Sequence, residues 1–113
     1  MSDIYEVLID DKFFEKIINK KCCYYIFLND RIRLQYKKGN ILTFKCENNV
    51  VKVEIKNMFY FNTIKELFDM MGKEKLGFTT KQNLDKIEDY YYVNYKPSDI
   101  ENFGLVVVEF DFI

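Results

Sequence analysis

The stretch Leu28 to Phe44, LNDRIRLQYKKGNILTF, decides how the rest of the chain is read. Asn29-Asp30 is a turn signal, because both side chains can bond to their own backbone two residues on. Ile32, Leu34 and Tyr36 then alternate with Arg31, Arg33 and Gln35. If this segment is extended, the two arginines and the glutamine share one face. Lys37-Lys38-Gly39-Asn40 reads as a second turn, and Ile41 to Cys46 as a strand.

Working outward toward the N-terminus, Cys22 to Leu28 is an apolar, aromatic run of strand length. Within it Tyr25 and Phe27 fall on one face, Tyr24 and Ile26 on the other. Ile4 to Ile9 reads as a further strand. Asp10 or Asp11 caps a helix whose Phe13, Phe14, Ile17 and Ile18 share a face. Toward the C-terminus, Val51, Val53 and Ile55 alternate with charged residues in a half-buried strand. Thr63-x-x-Glu66 is a capping box for a helix with an Ile64, Leu67, Phe68, Met71 stripe and Gly72 as its stop. Thr79-x-x-Gln82 repeats that pattern ahead of Leu84, Ile87 and Tyr91. A single turn around Pro97 to Asn102 precedes a final strand from Leu105 to Ile113. These elements predict one α+β domain over 1–113, a small curled sheet or β-barrel of five to six strands with two to three helices packed outside.

Composition narrows the function classes. Hydrophobic residues make up 49% of the 113, enough for one core, and no apolar run reaches the 18 or so residues a membrane span needs. The acidic N-terminus does not resemble a signal peptide, so a cytoplasmic, reducing location is expected. Three cysteines, two of them adjacent, suit packed thiols better than a disulfide framework. Histidine is absent, which removes Ser-His and Cys-His nucleophile pairs and leaves too few ligands for a zinc site. No metal or cofactor is expected. The richness in isoleucine, lysine and asparagine hints at an AT-rich source such as a virus or phage.

A net charge of −1 hides an uneven distribution. Between Lys16 and Lys45 stand eight bases and one acid, Asp30, while the remainder carries nine bases and 17 acids. Such a basic region can attract phosphates if its residues converge in space.

The stretch Leu28 to Phe44 resembles the ASCH-family pattern L-x-D-x-x-R-x-x-x-K-x-G-D-x-I-x-F. Leu28, Asp30, Arg33, Lys37, Gly39 and Phe44 match it, and Asn40 stands where the family has aspartate. Phe61-Asn-Thr-Ile-Lys-Glu-Leu-Phe looks like the family's Y-x-S-F-x-E-L-L helix. Tyr95 to Gly104, leading into Leu105-Val-Val-Val-Glu-Phe, resembles its closing turn and strand. The resemblance covers essentially the whole chain and implies a PUA-like barrel of the kind that handles RNA and modified nucleosides.

The segment before Leu28 departs from the family. ASCH domains carry G-x-K-T-x-E-x-R there, whose lysine and threonine, with a distant glutamate, serve members that cleave acylated cytidines. Aligned here, the glycine falls on Lys20, the lysine on Cys22, the threonine on Cys23, the glutamate on Tyr25 and the arginine on Phe27. A slip of one residue would place Lys21 and Cys22 on the lysine-threonine pair, and a lysine beside a thiol can activate it. The weak catalytic candidates are therefore Lys21, Cys22 and Cys23.

The candidates for contacting RNA or a nucleotide are Lys20, Lys21, Tyr25, Arg31, Arg33, Lys37 and Lys38, against the plainer reading of a solvated basic face. Tyr90, Tyr91 and Tyr92, near Tyr95, read as helix packing, and Asp99, Glu101, Glu109 and Asp111 as surface charge. The expected function is a non-catalytic module that binds RNA or a nucleotide through a basic cleft; the alternatives are a protein-interaction factor on the same fold and, after it, an acylated-nucleoside amidohydrolase.

Overall fold

A computed structural model describes residues 3–19, 22–79 and 81–113, with backbone only at 93 and 94. Five strands form one mixed, curled half-barrel sheet in the order β1-β3-β4-β5-β2. They are β1 (Ile4–Leu8), β2 (Tyr24–Leu28), β3 (Ile41–Cys46), β4 (Asn49–Phe61) and β5 (Leu105–Phe112). Strand β1 runs parallel to β3, and every other pairing is antiparallel. Among the described residues four helices surround the sheet: α1 (Asp11–Ile18), α2 (Ile64–Met71), α3 (Leu84–Asn94) and α4 (Pro97–Phe103). The turn expected at Pro97 is thus a helix of its own, which raises the count above the two or three expected. The architecture is the expected α+β one, a curled sheet with helices packed outside it.

Strand β5 explains the layering. Its run Leu105 to Val108 is buried on both faces, so alternate residues enter different cores. Leu105 and Val107 join Ile64, Leu67, Phe68, Ile87, Tyr91 and Ile100 under the helices. Val106, Val108 and Phe110 join Phe27, Leu42, Phe44, Val53 and Ile55 within the curl. The Tyr25 and Phe44 rings lie 5.4 Å apart although β2 and β3 are not neighbours in the sheet. Contact across three intervening pairings requires the sheet to bend back on itself.

Local signals account for the helix starts. Asp10 Oδ1 accepts the Phe13 N–H at 2.9 Å, Thr63 Oγ1 the Glu66 N–H at 3.1 Å, and Asn83 Oδ1 the Asp85 N–H at 2.7 Å. The last differs from the sequence expectation. Thr79 and Gln82 do pair, with the Thr79 N–H donating to Gln82 Oε1 at 2.7 Å, but they close a turn and the helix begins at Leu84. Asn83 is the stronger cap, and Thr79-x-x-Gln82 is spent on the loop before it.

The second correction falls in the deciding stretch. Ile32 to Gln35 is not extended. Arg33–Gln35 is a 3-10 turn, initiated by Asp30, whose Oδ1 accepts the Arg33 N–H at 3.2 Å. The apolar alternation is therefore not a strand face: Ile32 and Leu34 are exposed and only Tyr36 is buried. Tyr36 closes the half-barrel. Its ring lies 4.7 Å from Tyr5 on edge strand β1 and 5.7 Å from Phe27 on edge strand β2.

Candidate nucleic-acid interface

The end of β1, the start of α1, β2, the 3-10 turn and α3 converge on a cleft of about 370 Å³. Its walls are Leu8, Ile9, Asp10, Phe13, Tyr25, Arg33, Tyr90, Tyr91 and Tyr95. Two of these, Tyr25 and Arg33, are residues that the sequence marked for ligand contact. They come from separate segments and meet because the turn at Asp30 folds Arg33 back over β2. The Arg33 guanidinium lies 5.1 Å from the Phe27 ring centre and pairs with Asp30 Oδ2 at 3.1 Å. Its Nε is buried without a hydrogen-bond partner among the described residues.

The three tyrosines of α3 read as packing residues in the sequence, and packing is half of their role. Tyr91 is buried, and Tyr95, four residues on, stacks on it with ring centres 6.3 Å apart and an interplanar angle of 16°. The Tyr95 hydroxyl donates to the Ile26 carbonyl at 3.1 Å, tying the end of α3 to β2. The Tyr90 hydroxyl donates to Asp10 Oδ2 at 2.5 Å, tying α3 to the cap of α1. Helical spacing signals packing but does not reveal that one edge of the stripe opens onto a cavity. Tyr92 faces elsewhere and is exposed.

All four phenols of the cleft are held protonated. Burial pushes Tyr25 and Tyr91 well up from their ordinary values. Burial, then the bond to Asp10, raises Tyr90, and burial lifts Tyr95 to about 12 against the opposing Arg33 charge. At neutral pH the cleft therefore offers aromatic faces, neutral phenols, one planar cation and, at its mouth, the Asp10 side chain already engaged by Phe13 N–H and Tyr90. Such a set can stack on a flat heterocycle and hydrogen-bond its edge.

The other described sequence candidates for ligand contact lie outside the cleft. Arg31 is exposed on the turn. Lys37 and Lys38 are exposed on the turn that Asn40 closes, where Asn40 Oδ1 accepts the Lys37 N–H at 2.9 Å. None of the three lines the cleft. Lys20 and Lys21 lie outside the described residues. Cys22 is buried, its thiol donating to the Tyr24 carbonyl at 3.0 Å, and burial pushes its pKa up. That is the setting of a packed thiol rather than an activated one. Cys23 is half-buried, and Cys22, Cys23 and Cys46 are all free thiols. Among the described residues no group of three metal-ligating side chains comes together, and no helix is long and apolar enough to cross a membrane.

Glu109 departs from its reading as surface charge. It accepts from the Tyr24 hydroxyl and from Asn57 Nδ2, both at 2.8 Å, and those two bonds hold its carboxyl below the ordinary value. A register shift in β4 between Ile55 and Asn57 brings Asn57 opposite Glu109.

No protein-family model matches the sequence, and no curated protein matches it. Solved structures do. The archaeal hypothetical protein PH0355 superposes with a TM-score of 0.86 at 24% identity, covering 97% of this chain and 99% of its own. Protein PF0455 from Pyrococcus furiosus gives 0.77 at 23% identity, covering 97% of each chain. At these identities the likeness is one of fold. Both neighbours have a curled half-barrel sheet, consistent with a PUA-like fold, and neither bears on the viral or phage source that composition suggested.

Proposed function

We propose that the chain is a non-catalytic, ASCH-like binding module that takes RNA or a nucleotide, with a base seated in the tyrosine cleft. The observation that carries this is the convergence of Tyr25 and Arg33 in one cleft, with the buried Arg33 Nε unpartnered. A buried donor without an acceptor calls for an explanation, and a ligand acceptor that draws the guanidinium forward supplies one. The aromatic walls suit a base, whose π-face any ring can stack on. Non-catalytic binding is favoured because, among the described residues, the cleft walls contain no serine, threonine, cysteine or lysine to attack a carbonyl. The ASCH resemblance of Leu28 to Phe44 points the same way.

The test is binding of short single-stranded RNAs and free nucleosides, followed by anisotropy or NMR shifts. Arg33→Lys keeps the charge but removes the planar fork, and Tyr25→Phe keeps the packing but removes the phenol. Each is expected to weaken binding about fivefold to thirtyfold, the loss of one good hydrogen bond of roughly 1–2 kcal/mol. Wild-type protein that binds no nucleoside or RNA, or variants that bind unchanged, would remove the proposal.

A second reading, a protein-interaction factor, draws on edge strand β1. It leaves Ile4 62% and Leu8 83% exposed, and an uncovered edge can accept a partner's strand. A partner lost on Ile4→Lys, alongside unchanged RNA binding, would favour it.

A further inference from the structure

A second cavity, of about 420 Å³, lies on the other side of Phe13 and Tyr90. These two residues line both cavities and form the wall between them. Among the described residues, the second cavity is lined by four lysines, Lys12, Lys16, Lys81 and Lys86, and by no carboxylate. Its apolar surface comes from Phe13, Phe78, Ile87 and Tyr90.

The lysines gather there for reasons that can be traced along the chain. Lys12 and Lys16 are four residues apart on α1 and share a face, while Asp11 and Glu15 line a different cavity. Lys86 stands in the first turn of α3. Lys81 belongs to a loop anchored at Gln82, whose carbonyl accepts from Lys73 Nζ at 2.6 Å and whose side chain accepts from Thr79. Lys16 is fixed most tightly. Its Nζ donates to the Gly77 carbonyl at 2.5 Å and lies 4.9 and 5.1 Å from the ring centres of Phe13 and Phe78. The other three are exposed and pair with no acid among the described residues. Like charges four residues apart on a helix repel, so the cluster carries an electrostatic cost that an anion would relieve.

We infer that this lysine pocket is a phosphate subsite, contiguous with the tyrosine cleft, that holds the backbone of a single-stranded nucleic acid whose base occupies that cleft. The inference rests on the proposed function and adds its second half. The cleft reads a base with neutral phenols and one arginine, and the neighbouring pocket supplies the charge that the cleft lacks. It also reassigns the basic surface. Lys81 and Lys86 lie outside the basic stretch from Lys16 to Lys45, whereas Lys37 and Lys38 inside it line neither cavity. The ligand is thus a nucleotide or longer strand, and a free nucleoside uses only half of the site.

The experiment compares a nucleoside, its 5′-monophosphate and a tetranucleotide on the full chain across a salt series. Wild type is tested beside Lys81→Gln/Lys86→Gln and, as a control, Lys37→Gln/Lys38→Gln. All four positions are exposed, so folding is retained, as circular dichroism verifies. The expected result is that the pocket variant binds the nucleoside like wild type but loses about tenfold in tetranucleotide affinity. Its slope of log affinity against log salt should fall by about 1.4, at 0.7 per phosphate contact on a single strand. A monophosphate that shares the loss places the contact on the first phosphate; a loss confined to the tetranucleotide places it on the internucleotide backbone. An unchanged slope in the pocket variant, or an equal loss in the control, overturns the subsite while leaving the base cleft standing. Wild-type protein that binds none of the three ligands overturns both.

Discussion

The Asp10 carboxylate serves two elements at once: Oδ1 caps α1 through the Phe13 N–H at 2.9 Å, and Oδ2 accepts the Tyr90 hydroxyl at 2.5 Å. The start of α1 and the middle of α3 are therefore fixed to each other at the mouth of the tyrosine cleft. Tyr90→Phe should remove the link between helices and cost about 1 kcal/mol, since the site is partly open to water. Asp10→Ala should remove the cap as well and cost about 2 kcal/mol. A double-mutant cycle in urea should return a coupling of about 1 kcal/mol. Strict additivity of the two losses would show that the bond contributes nothing.

How far the sequence reveals this site follows from the range of the forces involved. The caps at Asp10 and Thr63 and the Gly72 stop are local, and all occur as read. The alternation of Ile32, Leu34 and Tyr36 misleads because a local bond from Asp30 to the Arg33 N–H outweighs it. Arg33 and Tyr25 are legible as candidates from residue type and motif. Their convergence depends on the curl of the sheet, which no local pattern encodes. The same holds for Lys81 and Lys86, which join Lys12 and Lys16 only after α3 packs beside α1.

The protonated tyrosines predict a pH dependence. Tyr24 is lifted to about 12 by its bond to Glu109 and by burial, Tyr95 to about 12 by burial, and Tyr25, Tyr90 and Tyr91 also stand above 10. In the unfolded chain these phenols ionise near 10. Above that pH the unfolded state loses protons that the folded state keeps, so unfolding is favoured. Stability contributed by these groups is complete below pH 10 and declines from 10 through 12. Thermal melts should show a shallow decline from about pH 8.5, where the raised Cys22 and Cys46 thiols contribute, and a steeper fall above 10. A Tm that stays level to pH 11.5 would contradict the raised values.

Tyr36 bridges the two edge strands from outside the sheet, so its removal should open the half-barrel rather than merely hollow it. Tyr36→Ala is expected to cost about 3–4 kcal/mol, in the range of large aromatic deletions. Hydrogen exchange should then accelerate in β1 and β2 before β4 and β5, because the edges lose their common contact. Tyr36→Phe keeps the ring contacts with Tyr5 and Phe27 and should cost less than about 1 kcal/mol. A uniform rise in exchange across all five strands would mean that Tyr36 is an ordinary core residue.

Gly77 and Gly72 separate backbone strain from crowding. Both have left-handed φ, +89° and +84°, so an added Cβ strains either one. At Gly72 that atom would meet nothing within 4 Å, while at Gly77 it would lie 3.2 Å from Lys16 Cδ. The lysine has little room to yield, since its Nζ is held by the Gly77 carbonyl and lies close to the Phe13 and Phe78 rings. Gly72→Ala should cost about 1 kcal/mol, and Gly77→Ala about 2 kcal/mol. For a domain of this size the difference corresponds to roughly 4–8 °C in Tm. Gly77→Ala should also displace Lys16 and weaken tetranucleotide binding, an effect that Gly72→Ala lacks. Equal losses of stability and unaltered binding in both variants would show that the approach of Lys16 to Gly77 shapes neither the fold nor the lysine pocket.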